Sequence, residues 1–81
     1  MNKIFYSTQA TNDLKKLDNV ILEQVMKKIK QLEQNSEIGK PLRNIYKNKR
    51  SLHIEKFRVI YSTQANEVII AKIKHRKEAY E

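Results

Sequence analysis

Arg50-Ser51-Leu52-His53-Ile54-Glu55-Lys56-Phe57-Arg58-Val59-Ile60-Tyr61-Ser62 reads as two short strands joined by a polar turn. If the turn is Glu55-Lys56, Ile54 lies opposite Phe57 and His53 opposite Arg58. Period two then sorts the side chains. Leu52, Ile54, Phe57, Val59 and Tyr61 share one face, an apolar surface suited to packing against helices. Lys49, Ser51, His53, Arg58, Ile60 and Ser62 share the other, which is cationic and polar and is expected to meet solvent or a ligand. A three-residue turn would mix the two sets, so the clean segregation itself supports this register. An arginine inside the otherwise apolar run Phe57 to Tyr61 needs a reason.

Downstream, the polar stretch Thr63 to Asn66 leads into a third strand candidate, Glu67 to Lys74, so the second half predicts an antiparallel meander. Neither turn contains glycine. Upstream, Lys3 to Ser7 reads as a strand, after which Ser7 or Thr8 can cap a helix with Ala10, Leu14 and Leu17 on one face. Asp18 or Asn19 can cap a longer helix whose apolar residues Ile21, Val25, Ile29 and Leu32 recur at spacings of four, four and three. Its other face is Lys, Gln and Glu, and the run Lys27-Lys28-Ile29-Lys30 reads as a solvated face. The only glycine and the only proline lie in Gln34 to Pro41, the main loop. The expected fold is α+β in two layers: an N-terminal strand, then a two-helix hairpin packed on a small antiparallel sheet, in the order β-α-α-β-β-β. The pentapeptide Tyr-Ser-Thr-Gln-Ala occurs at 6–10 and 61–65, but helical flanks follow the first copy and strand flanks the second, so it is a coincidence rather than a duplication.

Eighty-one residues make one small domain, spanning 1–81, near the lower limit for a self-sufficient core. Cysteine is absent, which excludes disulfides, thiolate catalysis and Cys-based zinc sites and fits a reducing, cytoplasmic setting. No apolar run exceeds Val68 to Ala71, so neither a membrane span nor a signal peptide is expected. The net charge of +8 is uneven: residues 1–40 hold seven basic and five acidic groups, residues 41–81 ten and four. Such a field concentrates polyanions, so nucleic acid or an acidic protein is the expected partner.

The order strand, helix, helix, basic loop and meander carries four short motifs: Gly39-Lys40-Pro41-Leu42, Arg50 to Ile54, Phe57 to Tyr61, and His75-Arg76-Lys77-Glu78-Ala79-Tyr80. Together they resemble the RelE/ParE superfamily of toxin-antitoxin toxins over nearly the whole chain. The resemblance implies the two-layer microbial RNase-like RelE fold and one of two activities. RelE-like members cleave mRNA in the ribosomal A site, whereas ParE-like members poison DNA gyrase without nuclease activity. A non-toxic basic nucleic-acid-binding module is a further alternative. The implied partner is a cognate acidic antitoxin that wraps the toxin, and neither metal nor cofactor is implied.

Metal-independent RNA cleavage needs a base near the ribose 2′-hydroxyl, cations around the phosphorane and an acid for the departing 5′-oxygen. By matching positions, Arg58 resembles the family's mid-strand phosphate-stabilising arginine, Arg76 its post-strand arginine and Tyr80 its C-terminal tyrosine. Lys49 falls where an active-site lysine is found, while Ser51 stands where RelE-type enzymes often carry a second lysine. His53, opposite Arg58, would be disfavoured as imidazolium and is either the general base or a strand histidine with no role. Arg43, Lys47, Lys49, Arg50, Lys74 and His75 complete the candidate RNA-binding set. Tyr46 either stacks on a base or roofs the core.

Overall fold

Two side-chain caps start the helices. The Ser7 hydroxyl accepts from the Ala10 N–H at 3.0 Å, and Asp18 Oδ1 accepts from the Ile21 N–H at 2.9 Å, each satisfying a first-turn donor that has no helical partner. The computed structural model describes residues 1–42 and 49–77. In chain order the elements are β1 (Lys3–Tyr6), α1 (Thr8–Lys15), α2 (Asn19–Gln31), β2 (Lys40–Pro41), β3 (Lys49–Ile54), β4 (Phe57–Gln64) and β5 (Glu67–His75). Among the described residues, no helix is long and apolar enough to cross a membrane.

The strands form one sheet in the order β1-β5-β4-β3-β2, with both helices on one face. The hairpin register is the expected one, with Ile54 opposite Phe57 and His53 opposite Arg58. Two features depart from the expected all-antiparallel sheet. β1 pairs parallel to β5, and β2 adds an edge strand inside the segment read as the main loop. Parallel neighbours need a long crossover, and here everything from α1 to β4 supplies it.

The predicted apolar faces make the core. Val25, Ile29 and Leu32 of the second helical stripe pack with Ala10, Leu52, Ile54, Val59, Tyr61, Val68, Ile70 and Ile73, while Leu14, Leu17, Ile21 and Phe57 seal its margin. Burying each large aliphatic side chain is worth about 1.5–3 kcal/mol before entropy is counted. In β5 the buried residues Val68, Ile70 and Ile73 break strict alternation. The register shifts between Ile60, opposite Lys72, and Tyr61, opposite Ile70, leaving Ala71 as an extra residue. This bulge lets Ile73 rejoin the core.

β1 stops at Tyr6, so the edge of β5 beyond Ile70 needs other partners. Helix α1 and its cap provide them: the Ser7 hydroxyl donates to the Ala71 carbonyl at 2.6 Å, and Asp13 Oδ2 accepts from the Ile73 N–H at 2.9 Å. At the other end, Asn2 donates its backbone N–H to the Glu33 carbonyl and its side-chain amide to the Leu32 carbonyl, closing the C-terminus of α2.

Tyr61, fully buried in the central strand, secures the loop before β2. Its hydroxyl accepts from the Gly39 N–H at 3.0 Å and donates to the Ser36 carbonyl at 2.8 Å. A Cβ at residue 39 would lie 2.6 Å from that hydroxyl oxygen, which explains glycine there. Tyr61→Phe should therefore cost about 1–3 kcal/mol in urea unfolding, because a buried donor and acceptor lose their partner. Both hairpin turns place a non-glycine residue in the left-handed region, Glu55 at φ 55° and Ala65 at φ 53°. Since that conformation costs an alanine about 1–2 kcal/mol, Ala65→Gly should raise the unfolding free energy by several tenths of a kcal/mol or more. An unchanged or lower midpoint would show that the turn is not strained.

Candidate functional site

The outer sheet face, away from the helices, is organised in rows across the strands. His53, Arg58 and Lys74 stand directly opposite one another on β3, β4 and β5. Adjacent members are spaced by the roughly 4.8 Å between strands. Opposed like charges destabilise a sheet, and Arg58 and Lys74 face one another in this way. The next row runs Lys40, Ser51, Ile60 and Lys72, and the third Lys49, Ser62, Ile69 and Phe5. The face thus grades from basic to apolar. Its centre is not open: Ser51 and Ile60 are only 5% and 6% exposed, although both were expected to meet solvent or a ligand.

His53 is held below the ordinary imidazole value of 6.5, first by partial desolvation and then by the positive charges of Arg58, Lys40 and Arg76. The direction is the one expected of a ring opposite Arg58, with desolvation ahead of Arg58 among its causes. Arg76 is fixed just past β5 by its backbone N–H, which donates to the Lys56 carbonyl of the β3–β4 turn. His53, Arg58, Arg76 and Lys74 therefore gather at one end of the outer face. Lys49 shares that face but lies four residues from His53 along β3, about 13 Å away.

Two other candidates sit elsewhere. Arg50 alternates to the helix-side face, where its guanidinium Nη1 donates to the carbonyls of Gly39 at 2.8 Å and Glu37 at 3.2 Å, giving it a structural job in the loop. His75, opposite Phe57 across the strands, also lies on the helix-side face, with its ring edge-on to Phe57 at 5.4 Å. It borders a cavity with Asp13, Lys16 and Asp18, away from the His53 row. Arg43, Tyr46, Lys47 and Tyr80 lie outside the described residues. Among the described residues, no group of three His, Asp or Glu side chains is placed to hold a metal ion.

A cavity of about 330 Å³ opens beside β2 and β3. Its polar lining is Lys28, Lys40, Ser51, His53 and Arg58, with Ile38, Pro41, Leu42 and Leu52 between them. Lys28 and Lys40 were not among the sequence candidates. Lys28 was hidden in a run that reads as a solvated helix face, and Lys40 acquires its place from a two-residue strand too short to show periodicity.

The profile describing the ParE toxin of type II toxin-antitoxin systems (parDE) matches residues 4–80. The chain belongs to this toxin family. A search of curated proteins gave no match. Among solved structures, the toxin is similar to a chain of the RelBE2 toxin-antitoxin complex of Mycobacterium tuberculosis, with 28% identity over 93% of this chain and 98% of that one and a TM-score of 0.83. The isolated RelE toxin of E. coli superposes with the same TM-score at 19% identity, covering 99% of this chain and 92% of that one. A chain of the chromosomal ParDE system of P. aeruginosa gives a TM-score of 0.71 at 17% identity, covering 93% of this chain and 96% of that one. The RelE and ParDE likenesses establish a shared fold.

In a ring-proton NMR titration of the toxin, His53 should show a midpoint below 6.5, moving back toward 6.5 in Arg58→Ala. With a depressed folded-state value, the unfolded chain takes up the proton first. The His53 contribution to stability is therefore intact above about pH 6.5 and is lost as the pH falls from there through the folded-state value. A midpoint at or above 6.5 in the folded toxin would mean the ring is not held neutral.

Proposed function

We propose that the toxin is a ribosome-dependent mRNA endonuclease that arrests translation. The observation that carries this reading is the row His53, Arg58 and Lys74 with Arg76 beside it, an imidazole held below its ordinary value among basic side chains on one face. In the proposed reaction, His53 accepts the proton of a ribose 2′-hydroxyl as its oxygen attacks the adjacent phosphorus. Arg58 and Arg76 stabilise the charge that builds on the phosphorane oxygens, and the bond to the 5′-oxygen breaks as that oxygen is protonated. Tyr80 is assigned to substrate stacking or to that proton transfer. Lys49 and Lys74 hold flanking phosphates, and Arg43 and Lys47 are assigned to RNA binding as well. A cognate acidic antitoxin would silence the toxin by covering the cationic face, as charge complementarity favours.

A second reading is favoured by the family description itself, which names ParE. On that reading the same scaffold inhibits DNA gyrase and the basic row binds rather than cleaves. Primer extension on translating ribosomes distinguishes the two: breaks within the A-site codon are expected, whereas SOS induction with intact mRNA would sink the nuclease reading. His53→Ala and Arg58→Ala should each reduce cleavage by about 100-fold or more and abolish growth arrest. Undiminished toxicity of His53→Ala would remove it as the base.

A further inference from the structure

Ser51 presents an unusual chemical situation. The residue is 5% exposed, it lines the cavity beside β2, and its Oγ is buried with no hydrogen-bond partner among the described residues. A buried hydroxyl in that condition forfeits its hydration with no protein bond in return, so it is normally a donor awaiting something. The surroundings say what. Lys28 comes from α2, Lys40 from the opposing position on β2, and His53 and Arg58 from the basic row, while among the described residues no carboxylate lines the cavity. A hydroxyl donor enclosed by cations is matched to an anion with several acceptor oxygens.

We infer that this cavity is a binding subsite for a phosphate-type oxyanion, in which the Ser51 hydroxyl donates to one oxygen and Lys28 and Lys40 neutralise its charge. Ser51 is thus a positioning donor on the substrate side of His53 rather than an empty place in the lysine pattern. Lys28 extends the site onto the helical layer. The assignment of the oxyanion to an RNA backbone rests on the nuclease reading; the subsite itself does not.

The test uses the full chain and two probes, inorganic phosphate and a 2′-deoxydinucleotide whose phosphodiester lacks the attacking hydroxyl. Phosphate, compared with chloride at equal ionic strength, should saturably shift the amide resonances of Ser51, His53 and Lys40. In Ser51→Ala the binding should weaken about tenfold, as expected for a hydrogen bond to a charged group. Without ligand, that variant should melt no lower than the parent, because it deletes an orphaned hydroxyl. Lys28→Gln, on an exposed helical position, should weaken phosphate binding too. Equal shifts with chloride, undiminished binding in Ser51→Ala, or a lower melting temperature of that variant would each overturn the inference. Competition between the dinucleotide and phosphate would assign the oxyanion to nucleic acid, and absence of competition would overturn that assignment. Phosphate binding lost in Ser51→Ala while ribosomal mRNA stays uncut would keep the subsite and remove the nuclease reading. Cleaved mRNA with a fully active Ser51→Ala would do the reverse.

Discussion

The hydroxyl of Tyr61 is the constraint on which the arrangement of the site depends. It sits at the centre of the sheet, in contact with both the core and the loop from Ser36 to Gly39. That loop has no apolar side chain buried in the core, so polar contacts to the sheet hold it. Arg50 adds a second clamp through the carbonyls of Glu37 and Gly39. Together they deliver Lys40 to its position opposite Ser51 and open the cavity beside β3. A buried phenol bonded on both sides keeps its proton, and its burial pushes it further from ionisation. The anchor is therefore insensitive to the pH changes that would titrate His53.

The two faces of the sheet are governed by different rules. The inner face follows packing: every large residue there touches a helix or another strand, and the register is fixed by that fit. The outer face sets His53, Arg58 and Lys74 in line, and the facing cations Arg58 and Lys74 repel one another. A fold this small has little to spare, so a row of basic side chains across one face is more economically explained by an anionic partner than by chance. The same reasoning distinguishes Arg50 from Arg58. Arg50 is spent on the loop, whereas Arg58 belongs to the row.

Much of this was legible in the chain. Alternation through Leu52 to Tyr61 identified the hairpin faces and its register, and the four-four-three spacing from Ile21 to Leu32 identified the buried helix stripe. Three things were not legible, each for a physical reason. β2 has two residues and no period. The parallel pairing of β1 with β5 depends on which sheet edge is free, a property of the assembled sheet. The helix-side position of His75 follows from a bulge that alternation cannot foresee. The twin pentapeptides make the limit explicit: Ala10 is a buried helical residue and Ala65 an exposed left-handed turn residue, in identical local sequence. Flanking residues decided between them.

The bulge at Ala71 acts on β5 as a frameshift acts on a message. Upstream of it, even-numbered positions such as Val68 and Ile70 read into the core; downstream, odd-numbered Ile73 does, and the even-numbered Lys72 and Lys74 are read out to the cationic face. Pairing β5 with β4 without the bulge, Ala71 kept in ordinary alternation, would leave composition and net charge untouched. It would nonetheless transpose the two languages of the strand, turning lysines inward and isoleucine outward. Related chains that keep the basic outer face must therefore preserve the phase of β5, not merely its lysines, and an alignment that closes the gap at this point would misplace every residue after it.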